Sequence, residues 1–95
     1  MAATHFLEIV FRNSDFTFEG RDEVEDPLDE ALAEAGLGEV TGGGSGAGES
    51  NVDVEVADLG EGLALIRRVL QGLGVARSTV INQYEPERIT HRVYE

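Results

Sequence analysis

The chain has 95 residues, 41% of them hydrophobic, which suits one small domain with a modest core and is too apolar for wholesale disorder. Nineteen acidic residues face seven basic ones, all of them Arg, for a formal charge of -12; this argues against nucleic acid and anionic membrane surfaces, both of which attract clustered cations. Without Cys the chain has no disulfides, no thiol catalysis and no cysteine zinc site.

The acidic excess fits a basic protein partner, cation binding or plain solubility. The absence of Lys fits a GC-rich coding sequence, which favours Arg, Gly, Ala and Glu over Lys. No apolar run approaches membrane-spanning length, and Met1-Ala2-Ala3-Thr4-His5 lacks the basic start and apolar core of a secretory signal. The expected compartment is the cytoplasm.

Residues 5–12 alternate, with Leu7, Ile9 and Phe11 on one side and Phe6, Glu8, Val10 and Arg12 on the other. Period-two alternation of this kind predicts a half-buried strand. Asn13-Ser14-Asp15 breaks it, and Glu19-Gly20-Arg21-Asp22 signals a loop. Asp26 to Ala35 reads as the first helix. Asp26 serves as cap, Pro27 takes the first helical position, Leu28, Ala31, Leu32 and Ala35 form the apolar stripe, and Gly36 is the stop. Val24 is expected to pack just ahead of this helix.

Glu39-Val40-Thr41 predicts a short strand at best. The glycine-rich residues 42–48 then read as a hairpin loop, with glycines extending at most into a frayed edge strand. Asn51 to Ala57 alternates cleanly, Val52, Val54 and Val56 against Asp53 and Glu55. Asp58, with Glu61 three residues on, caps a second helix that ends at Gly74. Leu59, Leu63, Ile66, Leu70 and Leu73 form its stripe, and Arg67, Arg68 and Gln71 lie opposite. Ser78 to Tyr84 reads as a fourth strand ended by Pro86. Ile89, His91 and Val93 alternate in a tail expected to be an extra edge strand or a docking arm.

The resulting order, β-α-β-β-α-β over residues 5–84, resembles the ferredoxin-like superfold: α+β, with two helices on one face of a four-stranded, mainly antiparallel sheet. The resemblance implies right-handed crossovers with strands one and three central. Residues 85–95 would be a C-terminal extension of this single domain. Ligand-binding regulatory domains of the ACT type share the order, but Asn13-Ser14-Asp15-Phe16 has no glycine turn to match theirs. Small size and acidity are also similar in character to bacterial immunity proteins, which inhibit basic toxins.

Four groups of residues stand out. Glu8, Asp53 and Glu55 would share the outer sheet face, where carboxylates can bind a divalent cation, raise one another's pKa or simply form its wet surface; Arg12 is a salt-bridge partner there. The glycine run lacks the Lys and following helix of a phosphate-binding loop. His5 and His91 sit near the termini. Asp22, Glu23, Glu25, Asp26, Asp29, Glu30 and Glu34 form the densest negative patch, suited to steering a basic partner. Ser14, Ser45, Ser50 and Ser78 occupy turn-like sequence, where hydroxyls take local backbone roles. No catalytic residue and no cofactor is indicated. The expectation is a non-enzymatic domain that binds a basic protein, with an inhibitor or immunity-like role its most concrete form. The alternative is a regulatory domain for a small ligand or divalent cation.

Overall fold

The computed structural model describes residues 4–94. The first strand, β1, spans His5–Arg12. It buries Leu7, Ile9 and Phe11 on one side. A short 3-10 turn, Asn13–Asp15, follows. Strand β3, Glu49–Val56, buries Val52, Val54 and Val56 in the same way. The two run antiparallel, with Leu7 opposite Val54 and Ile9 opposite Val52. Alternation in both partners therefore puts Leu7, Ile9, Phe11 and the three valines on one face, and leaves Phe6 and Val10 on the other.

Strand β4, Val80–Gln83, pairs with the other side of β1, and β5, Ile89–Arg92, pairs with β4. Strand β2, Gly38–Gly46, pairs with β3. The sheet has five strands in the order β2-β3-β1-β4-β5, and every neighbouring pair is antiparallel. Helices α1, Asp22–Ala35, and α2, Leu59–Leu73, cover its apolar face. Val24, Leu28 and Leu32 from α1, and Ile66 and Leu70 from α2, are wholly buried there. The fold is α+β, with strands one and three inside the sheet as expected, and with five strands rather than four.

Both helices end as the sequence implies, with Gly36 and Gly74 left-handed at φ 66° and 74°. Helix α2 also begins as expected: Asp58 accepts a 2.8 Å bond from the Glu61 amide. Helix α1 does not begin at Asp26. It starts a turn earlier, at Asp22, so that Val24, four residues before Leu28, joins the buried stripe. Asp22, Glu23 and Glu25 then occupy the first turn, where the positive end of the helix dipole favours them. Pro27 lies inside the helix. Without an N–H it leaves the Glu23 carbonyl without the usual helical donor.

The glycine run is not a loop. Gly42 to Gly46 continue β2, and the chain reverses over Ala47 and Gly48, with φ 52° and 79°. Positive φ at both central residues is the backbone of a tight two-residue hairpin. The register shifts between Val40 and Gly42, leaving Thr41 as a bulge. Pairing β3 on this side satisfies backbone groups that a mobile loop would have left at an open edge.

The fourth strand is shorter than expected, and the tail is both an edge strand and a docked arm. Val93 is wholly buried. Arg67 Nε donates to the Arg92 carbonyl at 2.8 Å, Gln71 Nε2 to the Val93 carbonyl at 2.8 Å, and the Tyr94 hydroxyl to the Val75 carbonyl at 2.6 Å. The polar side of α2 thus holds the chain end. Two of the four serines act at long range: Ser50 Oγ donates to Asn13 Oδ1 at 2.6 Å and Ser78 Oγ to Asp15 Oδ2 at 2.7 Å.

Ile66→Ala is expected to destabilise the domain by roughly 2–5 kcal/mol, and Leu63→Ala, at a half-buried position, by less. Gln71→Ala is not neutral, because it removes the tie to Val93; a loss of about 0.5–1.5 kcal/mol is expected. Urea melts of the three variants check this ranking.

Candidate functional site

The helices cover one face of the sheet, so the outward residues of every strand meet solvent or a partner. The pairing of β1 with β3 sets Glu8 beside Asp53 and Phe6 beside Glu55. The pairing of β1 with β4 sets Asn82 on the other flank of Glu8. The expected cluster of Glu8, Asp53 and Glu55 is therefore brought onto two adjacent strands, each side chain partly exposed.

Each carboxylate already has a donor. The Tyr84 hydroxyl donates to Glu8 Oε1 at 2.5 Å, and Asn82 Nδ2 approaches the same oxygen at 3.4 Å. The Thr90 hydroxyl donates to Asn82 Oδ1 at 3.0 Å, which turns the Asn82 amide nitrogen toward Glu8. Asn51 Nδ2 donates to Asp53 Oδ1 at 2.8 Å, and the Thr4 hydroxyl to Glu55 Oε1 at 3.0 Å. Among the described residues, Arg12 makes no ion pair with these carboxylates, and no group of three or more His, Asp or Glu side chains is placed to hold a metal ion.

Two aromatic rings stand among these acids. Phe6 is 42% and Tyr84 38% exposed, their centroids 5.9 Å apart, and the Arg88 guanidinium lies 5.6 Å from the Tyr84 ring. Both rings follow the phase of the acids, Phe6 with Glu8 on β1 and Tyr84 with Asn82 just past the end of β4. That phase is the signal in the sequence that places Tyr84 on the face of the acids. Glu8, Glu49, Asn51, Asn82, Tyr84 and Arg88 contribute to the walls of a shallow cavity of about 340 Å³. A second hollow, of about 270 Å³, lies at the other end of the rings between Thr4, His5, Phe6, Glu55, Tyr84 and Glu85.

The two histidines do not form a pair of ligands on one strand: His5 belongs to β1 and His91 to β5, with β4 between them. His91 Nε2 lies 2.9 Å from Gln83 Oε1. The acidic patch of α1 is partly engaged. Glu25 pairs with Arg21 at 3.7 Å, Glu23 accepts from the Glu19 amide, and Asp29 Oδ1 accepts from the Val40 amide at 2.9 Å. Asp22, Asp26, Glu30 and Glu34 are exposed. The patch lies on α1, whereas Glu8, Asp53 and Glu55 lie on the opposite face of the sheet.

This arrangement offers charged acceptors and aromatic surface on a firm support. Among the described residues no buried side-chain nitrogen or oxygen lacks a hydrogen-bond partner. No family model, curated protein or solved structure matches the chain.

The Glu8 hydrogen bond, with help from burial and from the Glu8 charge, raises the Tyr84 phenol above its ordinary pKa of 10.0. The folded protein therefore holds this proton more tightly than the unfolded chain. The associated stability is present below the ordinary tyrosine pKa and is lost as pH rises through the folded value. Alkaline titration followed by ultraviolet absorbance is expected to show late ionisation of Tyr84 in the native protein, and Glu8→Gln is expected to bring that ionisation earlier.

Proposed function

We propose that the chain is a non-enzymatic protein-binding domain of ferredoxin-like architecture whose uncovered sheet face receives a partner with a basic surface. The observation that carries this reading is the placement of Phe6 and Tyr84 beside Glu8 and Glu55 on the face the helices leave open. Aromatic anchors within a polar rim are the usual composition of a protein contact. The carboxylates choose the sign of the partner. Glu8, Glu39, Glu49, Asp53 and Glu55 outnumber the outward Arg12, Arg88 and Arg92, and the whole chain carries -12. The same charge disfavours a second copy as occupant.

An inhibitor or immunity-like role is the most concrete form of the proposal, because such a protein succeeds by covering a basic target tightly. The exposed acids of α1 then act at a distance. Charges outside the contact mainly raise the rate of encounter, and their field is screened beyond roughly 8 Å at physiological salt.

Affinity capture from a lysate of the source organism, read by mass spectrometry at low and high salt, tests this. The wild type is expected to retain a protein with a basic surface that the Phe6→Ala/Tyr84→Ala variant loses. Reversal of Glu23 and Glu30 to Lys is expected to slow its association without speeding its release. Retention of the same proteins by the ring variant would contradict the proposal.

A further inference from the structure

The outer edge of the sheet at β2 is guarded along only part of its length. At the start of the strand, the Asp29 carboxylate takes the Val40 amide, and the Thr41 bulge bends the chain. Both are devices that stop a sheet edge from pairing with another strand. From Gly42 to Gly46 the edge carries no charged residue and no proline. On the open face that stretch presents main-chain donors and acceptors with almost no side chain over them, while Arg21 and Glu25 lie over Gly43 on the helix face.

The glycines here divide into two kinds. Gly38 and Gly43 are required by the fold itself: a Cβ on Gly38 would collide with the Glu55 carbonyl, and one on Gly43 would meet the Arg21 guanidinium and come within 2.6 Å of the Asn51 carbonyl. Gly42, Gly44 and Gly46 are not so required. A Cβ there would meet Asp53 Oδ2 at 3.8 Å, Asn51 Oδ1 at 3.5 Å and nothing within 4 Å, respectively, and none of the three has positive φ. Their registers with Asp53, Asn51 and Glu49 place all three on the open face. The fold thus tolerates a side chain at three alternate positions that are all bare. Glycine in a strand weakens it and often marks a place where another backbone approaches closely.

The surroundings set the chemistry of what approaches. A strand added beyond β2 would send alternate side chains to the two faces. On the open face they would cross the bare glycine row toward Asp53 and Glu49. On the other face they would meet α1, whose Glu25 lies over Gly43 and whose Asp29 reaches Val40. The open face is acidic, whereas on the helix face Arg21 pairs with Glu25 over Gly43 and Asp29 is the nearest further acid along the strand. A second copy of the chain would bring the same acids against themselves.

We propose that the Gly42–Gly46 edge accepts an extended segment of a partner chain as a sixth strand, and that this segment carries Lys or Arg whose side chains lie across Gly42, Gly44 and Gly46. The proposal shares the basic partner of the reading above but names a different surface, so each can fail alone.

The probe is a short synthetic peptide alternating Lys and Thr, compared with the same peptide N-methylated at every internal amide, which blocks both strand edges, and with a Glu/Thr peptide. Binding is followed by calorimetry and by amide hydrogen exchange. The Lys/Thr peptide is expected to bind and to slow exchange within residues 42–46, and both control peptides are expected to lose that binding. Gly44→Val/Gly46→Val, which fills the bare row without altering charge, is expected to weaken binding by about tenfold while leaving the thermal midpoint undiminished. Equal binding of the N-methylated peptide would show attraction without strand addition and would overturn the proposal. So would the absence of binding, protection confined to the Phe6–Tyr84 face, or protection of residues 42–46 that rises with protein concentration without peptide.

Discussion

The register between β1 and β3 governs this molecule. Leu7 against Val54 and Ile9 against Val52 put the apolar half of both strands under the helices. A one-residue slip of β3 would turn Asp53 and Glu55 into that core and expose the valines, and a slip of β1 would turn in Glu8 and expose Leu7 and Ile9. Burying even one unpaired carboxylate is far costlier than losing a methylene contact, so the register is strongly specified. The acids are on the open face because they cannot be on the other.

From that constraint the rest follows in order. Central strands β1 and β3 need neighbours, and the chain supplies β4 on one side and β2 on the other. Helix α1 lies over the β2 side, where Asp29 meets Val40, and α2 over the β5 side, where Arg67 and Gln71 hold the chain end. The open face is left with a hydrogen-bonded row, Thr90 to Asn82 to Glu8, joined by Tyr84. Such a row keeps the carboxylate oriented without neutralising it. A surface of fixed acceptors and two rings loses less entropy on contact than one of mobile side chains.

The sequence disclosed what depends on period and punctuation. Alternation in residues 5–12 and 51–57 located the central strands and, with them, the face of Glu8, Asp53 and Glu55. Asp58 with Glu61, and the two glycine stops, located the helix ends. What it concealed depends on tertiary partners. Helix α1 runs back past Pro27, which by itself reads as a helix start, and brings Val24 into the buried stripe one turn before Leu28. The glycine run looked like a loop because glycine has little strand propensity of its own, yet β3 offers it a full ladder. Gln71 read as a plain surface residue because the Val93 carbonyl it serves lies 22 positions away. Tyr84 entered the site only when β4 placed it over Glu8.

We propose the open sheet face, and not the acids of α1, as the contact with a basic partner. Carbodiimide labelling of carboxylates, read residue by residue with and without a bound basic partner, tests it most directly. The account predicts protection of Glu8, Asp53 and Glu55 with continued labelling of Glu30 and Glu34. Protection of Glu30 and Glu34 with Glu8, Asp53 and Glu55 still reactive would contradict it.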